Sequence, residues 1–229
     1  MKKTIHIIYC LLIIGFMACK KDKDPRTPSE EPETPLAPEV ITTLQFYVWD
    51  SLTNTAVPGS PFTFKDIDGE GGQPGLFLNG GADSLITLNA GKTYITRVVI
   101  LDETASPVDS ISNAVGGDES YEHMLFYNGD PANNANNKGN AILNPALSAY
   151  TVKLNGSGIT IRYNDTDNGA AHNQAIRPVG LSTLLKTGTF TGNVTYPFIV
   201  TLRHQPDAKD GSYTPGETDI EVGFKVRVN

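Results

Sequence analysis

The chain has 229 residues, 18 of them Lys or Arg and 25 Asp or Glu, for a formal charge of −7. An acidic balance of this size repels nucleic acid and anionic lipid surfaces, which argues against a nucleic-acid partner. The chain has two cysteines, Cys10 and Cys19. Both fall in the first nineteen residues, so no disulfide, thiolate zinc site or cysteine nucleophile is expected in the folded part.

Lys2 and Lys3 open the chain, residues 5–16 form a nearly unbroken apolar run, and Met17-Ala18 leads into Cys19. A charged start, a short apolar stretch and a small residue before the cut are the parts of a bacterial secretory signal. The run is shorter than the roughly 20 residues a spanning helix needs. A cysteine at the cut resembles the lipobox of bacterial lipoproteins, whose thiol is lipidated and becomes the new N-terminus. Residues 1–18 are therefore expected to leave as a signal peptide, with Cys19 as the lipidation site. The remainder keeps 16 basic and 25 acidic residues, a charge of −9. Acyl chains on Cys19 would hold it to the membrane, each buried CH₂ contributing about 0.8 kcal/mol.

Residues 19–38 read as a tether. Pro25, Pro28, Pro32, Pro35 and Pro38 alternate with Glu30, Glu31 and Glu33. Proline at this density favours extended segments and prevents helix, so the stretch after the cysteine could reach roughly 60 Å at about 3.1 Å per residue. Acidic residues soon after Cys19 resemble the surface-export signal of Bacteroidota lipoproteins. The interspersed Lys20, Lys21 and Lys23 leave the choice between the periplasmic and the outer face open.

Residues 39–229 are enough for one domain with its own core. Short segments rich in Val, Ile, Thr, Phe and Tyr recur between Gly, Asn, Asp and Pro. Strands are expected over 41–49, where Leu44, Phe46 and Val48 share a face, and over 62–65, 85–88 and 93–101. Further strands are expected over 121–127, 151–154, 159–163, 180–186, 198–204 and 220–228. Asn155-Gly156-Ser157-Gly158 supplies a hairpin-type turn. In the last strand Val222, Phe224, Val226 and Val228 face opposite to Glu221, Lys225 and Arg227. Little helix is expected, and 113–119 and 130–147 read as the least regular parts. About nine or ten strands with frequent turns point to an all-β fold, an antiparallel β-sandwich of Ig-like or jelly-roll-like type, with a closed barrel as the alternative.

Two acidic loops gather oxygen ligands around a glycine: Asp66-Ile67-Asp68-Gly69 and Asn164-Asp165-Thr166-Asp167-Asn168-Gly169. Calcium takes six to eight oxygens from such loops, and ordinary Asx-rich turns have the same composition. His123, His172 and His204 would suit a transition metal if the fold brought them together, though none is spaced like an H-E-x-x-H pair. Candidate metal ligands are thus Asp66, Asp68, His123, Asp165, Asp167 and His204, for a calcium or transition-metal ion, with Glu122-His123 and His204 among the expected contacts. Glu122, Asp118 and Glu119 cluster near one strand start. No serine elbow or phosphate loop is present, and no catalytic residue is assigned. Trp49, Tyr121, Tyr127, Tyr163 and Tyr213 are candidates for a sugar-stacking face, with core packing as the competing fate.

Several pieces spread over residues 41–228 resemble small Bacteroidota cell-envelope lipoproteins often encoded near TonB-dependent receptors. They are Leu88-Asn89-Ala90-Gly91-Lys92-Thr93-Tyr94, Glu122-His123-Met124-Leu125-Phe126-Tyr127, Tyr163-Asn164-Asp165-Thr166-Asp167, Leu202-Arg203-His204-Gln205-Pro206 and Gly216-Glu217-Thr218-Asp219-Ile220. The resemblance implies an envelope β-sandwich that assists uptake through such a receptor. The expectation is a non-catalytic, lipid-anchored binding module at the outer membrane, in nutrient or metal uptake. A structural or adhesive lipoprotein is the alternative.

Overall fold

Alternation along β1 (Thr43–Asp50) sets the frame: Leu44, Phe46 and Val48 are fully buried, whereas Tyr47 and Trp49 are half-buried. The computed structural model describes residues 40–68, 73–78, 84–129, 141–144, 149–154, 156–189 and 194–229. The expected signal, Cys19 and the tether lie outside the described residues, as do Gly69–Gly72 and the polar loop over 130–140.

Chain order continues with β2 (Phe62–Lys65), β3 (Leu76–Phe77), β4 (Leu85–Leu88), β5 (Thr93–Leu101), α1 (Ile111–Val115) and β6 (His123–Asn128). Then come β7 (Ile142–Asn144), β8 (Ala149–Leu154), β9 (Ile159–Tyr163), a 3-10 turn at Gly169–His172, β10 (Ser182–Lys186), β11 (Thr195–His204) and β12 (Glu217–Val228). The fold is an all-β sandwich. One sheet has eight strands in the order β3-β2-β1-β5-β10-β9-β8-β7, and the other has four in the order β4-β12-β11-β6. Neighbours are antiparallel except β12 and β4, which run parallel from Lys225↔Leu85 to Val228↔Leu88. The strand count exceeds the nine or ten expected because β3 and β7, two and three residues long, are too short to show a period of two. Part of the expected irregular stretch over 113–119 is instead α1 and its following turns.

Phe46 of the larger sheet joins the layers. Its ring lies 5.2 Å from that of Phe198, 5.8 Å from Phe224 and 6.5 Å from Tyr127, all in the smaller sheet. Rings at these separations contribute beyond their area burial. Tyr127 and Tyr163 are therefore core residues, the packing fate weighed in the sequence against a sugar-stacking face. Their hydroxyls donate to the carbonyls of Gly180 (2.6 Å) and Leu125 (2.8 Å), which lets a polar tip be buried. The same corner needs glycine at 180: φ is +95°, and a Cβ there would lie 2.8 Å from the Tyr163 ring.

The two outward faces differ. On the smaller sheet, Ile199, Thr201 and Arg203 are buried although they point away from the core. The 205–216 segment packs on this face against Arg203 and Phe126. Tyr213 meets Phe126 edge-on at 5.3 Å and lies 4.6 Å under the Arg203 guanidinium, which also donates to the carbonyls of Pro215 (3.0 Å) and Gly216. Outward residues at the centre of the larger sheet stay half-exposed or exposed: Tyr47, Trp49, Ile95, Arg97, Val99, Ser182, Leu184 and Arg162.

Candidate functional site

The acidic loop after β9 is a tie between loops. Asp165 accepts the backbone N–H of Gly180 and of Ser182, each at 2.8 Å. Burial nevertheless raises its pKa above the usual carboxylate value. Asp167 Oδ1 accepts the N–H groups of Gly169 (3.1 Å) and Arg177 (2.9 Å). Its Oδ2 lies 2.8 Å from the Lys209 ammonium, with the two side chains 1 % and 0 % exposed. Lys209 also donates to the Ser120 carbonyl at 2.7 Å. Burial lowers the Lys209 pKa, and Asp167 opposes that shift. A lysine from a distant turn thus supplies the positive charge a cation would bring to this loop. Nothing in the spacing of Asp165 and Asp167 pointed to Lys209.

Asp66 and Asp68 follow β2 at the other end of the larger sheet's strand order. The Asp66 N–H donates to the Thr42 carbonyl at 2.8 Å. Asp68 Oδ2 accepts the Gln73 N–H at 2.8 Å, which holds its pKa below the usual value. Both border an open cavity of about 390 Å³, lined also by Lys65 and the exposed Ile67, Leu76 and Leu78.

The structure does bring His123 and His204 together. Their rings are parallel within 9°, with centroids 4.6 Å apart, at the paired ends of β6 and β11. His123 is 3 % exposed, and its Nδ1 lies 3.2 Å from the Glu119 carbonyl. A carbonyl only accepts, so that contact places the proton on Nδ1. His123 Nε2 then faces Asp219 Oδ2 at 3.7 Å, and His204 Nε2 faces Glu122 Oε2 at 3.5 Å. Burial takes the His123 pKa down to about 4 and the Asp219 pKa up to about 6. Both groups are therefore neutral together between about pH 4 and 6, and above pH 6 Asp219 ionises beside a neutral His123. Asp219 was not among the residues expected here. His172 stacks instead on Tyr121, with centroids 3.6 Å apart. Among the described residues, no three His, Cys, Asp or Glu side chains are grouped so as to hold a metal ion.

The outward face of the larger sheet gathers a different set. Its strands contain Lys65, Arg97, Lys153, Arg162 and Lys186 against one acidic residue, Asp50. Lys65 pairs with Glu103, and Asp50 pairs with Lys92 at 3.6 Å. Arg97, Lys153, Arg162 and Lys186 make no ion pair with another described residue. Register places them in cross-strand rows. Tyr47, Arg97 and Ser182 form one, and Trp49, Ile95, Leu184, Arg162 and Thr151 the next. A third holds Thr93, Lys186, Thr160 and Lys153. Tyr47 and Trp49, two apart on β1 and so on one face, lie parallel within 8° at 5.4 Å. The sequence signal was present: in 43–50 these rings alternate with the core residues, and Arg97 interrupts an apolar strand.

No protein-family model, curated protein or solved structure matches this chain. The reading of its site therefore rests on the chemistry of its own residues.

Proposed function

We propose that the chain is a non-catalytic binding module of the cell envelope, anchored through lipid on Cys19, whose working surface is the outward face of the larger sheet. The process proposed for it is accessory binding in nutrient uptake through an outer-membrane receptor of the TonB-dependent kind. One observation carries the reading: an acidic chain gathers, among its described residues, cations without ion pairs and a parallel ring pair on one outward sheet face. No two of these cations stand directly opposite in register, but Arg162 is a diagonal neighbour of Lys186 and of Lys153, with no described acidic group to compensate them. A bound anionic partner would do so, and a rigid sandwich presents the rows without reorganising.

The test is photocrosslinking in cells, with a photoreactive residue at Ser182 in the centre of the face and, as a control, at Asp207 in the loop after β11. The proposal expects envelope adducts from Ser182 and few from Asp207. Equal labelling at both positions, or adducts only from Asp207, would contradict it. For the anchor, a palmitate analogue should label the parent and not Cys19→Ala; equal labelling would remove Cys19 as the lipid site.

A further inference from the structure

We propose that this face binds an anionic polysaccharide laid across β1, β5, β10 and β9, with Tyr47 and Trp49 against a sugar ring and Arg97, Arg162 and Lys186 against its carboxylates or sulfates. The inference rests on the reading of the face as the binding surface and adds the class of ligand. Charge complementarity is its first support, since these three cations have no acidic partner among the described residues. Guanidinium groups meet carboxylates and sulfates through paired N–H donors, which a planar fork favours over a point charge.

The second support is the ring pair. A pyranose has an apolar C–H face and a hydroxyl rim. Parallel Tyr47 and Trp49 rings match the first; Gln45 beside them on β1 and Thr93 on the paired β5 match the second, with Ser182 on β10 and Thr160 on β9 further along the path. Geometry is the third. Trp49 and Arg162 stand on one row three strand spacings apart, about 14 Å. One sugar ring cannot reach both, so the ligand extends over several linked sugars.

A protein partner fits less well: protein interfaces enrich Tyr, Trp and Arg but deplete Lys, and this face adds Lys153 and Lys186 to its arginines. Single-stranded nucleic acid also uses rings and cations. It carries a charge every 3.4 Å of strand, however, and a chain of net charge −7 repels such a partner more strongly than a polyuronate with one charge per sugar.

The experiment is calorimetric titration of the full chain with two matched pairs, polygalacturonate against its methyl ester and dextran sulfate against dextran. At least one charged polymer should bind tenfold or more tighter than its neutral partner. Trp49→Ala and Arg97→Gln should each weaken that binding about tenfold, while both variants melt within a few degrees of the parent. The proposal fails if neither charged polymer binds, if the neutral partners bind equally, or if the variants bind like the parent. It also fails if oligothymidylate or anionic vesicles bind more tightly than both polysaccharides. Ser182 adducts without polysaccharide binding would overturn the ligand class and leave the face standing; absence of both would remove the face as well.

Discussion

Lys209→Met is the most informative single change in the fold. The Lys209 ammonium and Asp167 Oδ2 are 2.8 Å apart with both side chains buried. At an effective dielectric near 20 their attraction is about 6 kcal/mol, opposed by several kcal/mol of desolvation for each ion. The pair itself thus adds little net stability, whereas breaking it is costly. Methionine keeps the stem as far as the ε position but leaves Asp167 Oδ2 and the Ser120 carbonyl without their donor. The expected loss is about 3–5 kcal/mol. In Lys209→Met/Asp167→Asn the amide oxygen can still accept from Gly169 and Arg177 and no charge is buried alone, so the double variant should recover about 2 kcal/mol. Urea titrations with linear extrapolation give each value. A single-variant cost below about 1 kcal/mol, or a double-variant cost equal to the sum of the singles, would refute the view that this ion pair ties the loops.

The remaining predictions concern protons, backbone and charge. His123, lowered from 6.5 to about 4, makes the fold lose stability as pH falls from 6.5 towards 4, because the unfolded chain takes up the proton first. Asp219, raised from 3.8 to about 6, acts in the opposite direction as pH falls from about 6 towards 3.8. The two offset in the parent, so Asp219→Asn should lose up to about 3 kcal/mol on acidification from pH 6.5 to 4, and His123→Gln should slope the other way. Equal slopes in denaturant titrations of both variants and the parent would contradict this. Gly180→Ala should cost about 3 kcal/mol or more, from positive φ and a Cβ meeting Tyr163 and Leu125; a melting temperature unchanged from the parent would show that the corner yields. Arg97→Gln/Arg162→Gln should stay within about 0.5 kcal/mol of the parent, on the stabilised side at low salt. Destabilisation beyond about 1 kcal/mol would mean that these arginines support the fold.

Period-two alternation made β1, β5 and β12 legible in the sequence, because half-buried strands write their burial into every second residue. The two-residue β3 and three-residue β7 left no such trace. Tyr127 and Tyr163 stayed open between core and sugar-stacking face because composition does not reveal that a carbonyl waits for each hydroxyl inside the core. Lys209 was illegible for a related reason: its partner Asp167 lies forty-two positions earlier, and only the folded loops bring the two together. The meeting of His123 and His204 was a stated possibility, yet Asp219 beside them depends on the antiparallel pairing of β11 with β12. The outward rows were readable strand by strand from alternation. Their assembly into one cationic face required the strand order β1-β5-β10-β9, which skips from the fifth strand to the tenth.

Trp49 is the only tryptophan in the chain and stands on the proposed surface. Its fluorescence therefore reads that surface alone, and acrylamide quenching during a titration with polygalacturonate or dextran sulfate is the most direct measurement. The account predicts a saturable fall in quenching for the full chain, absent with the neutral partner polymers and shifted to higher concentration in Arg97→Gln. Polymer binding seen by calorimetry with Trp49 quenching unchanged would put the ligand elsewhere and contradict the central claim.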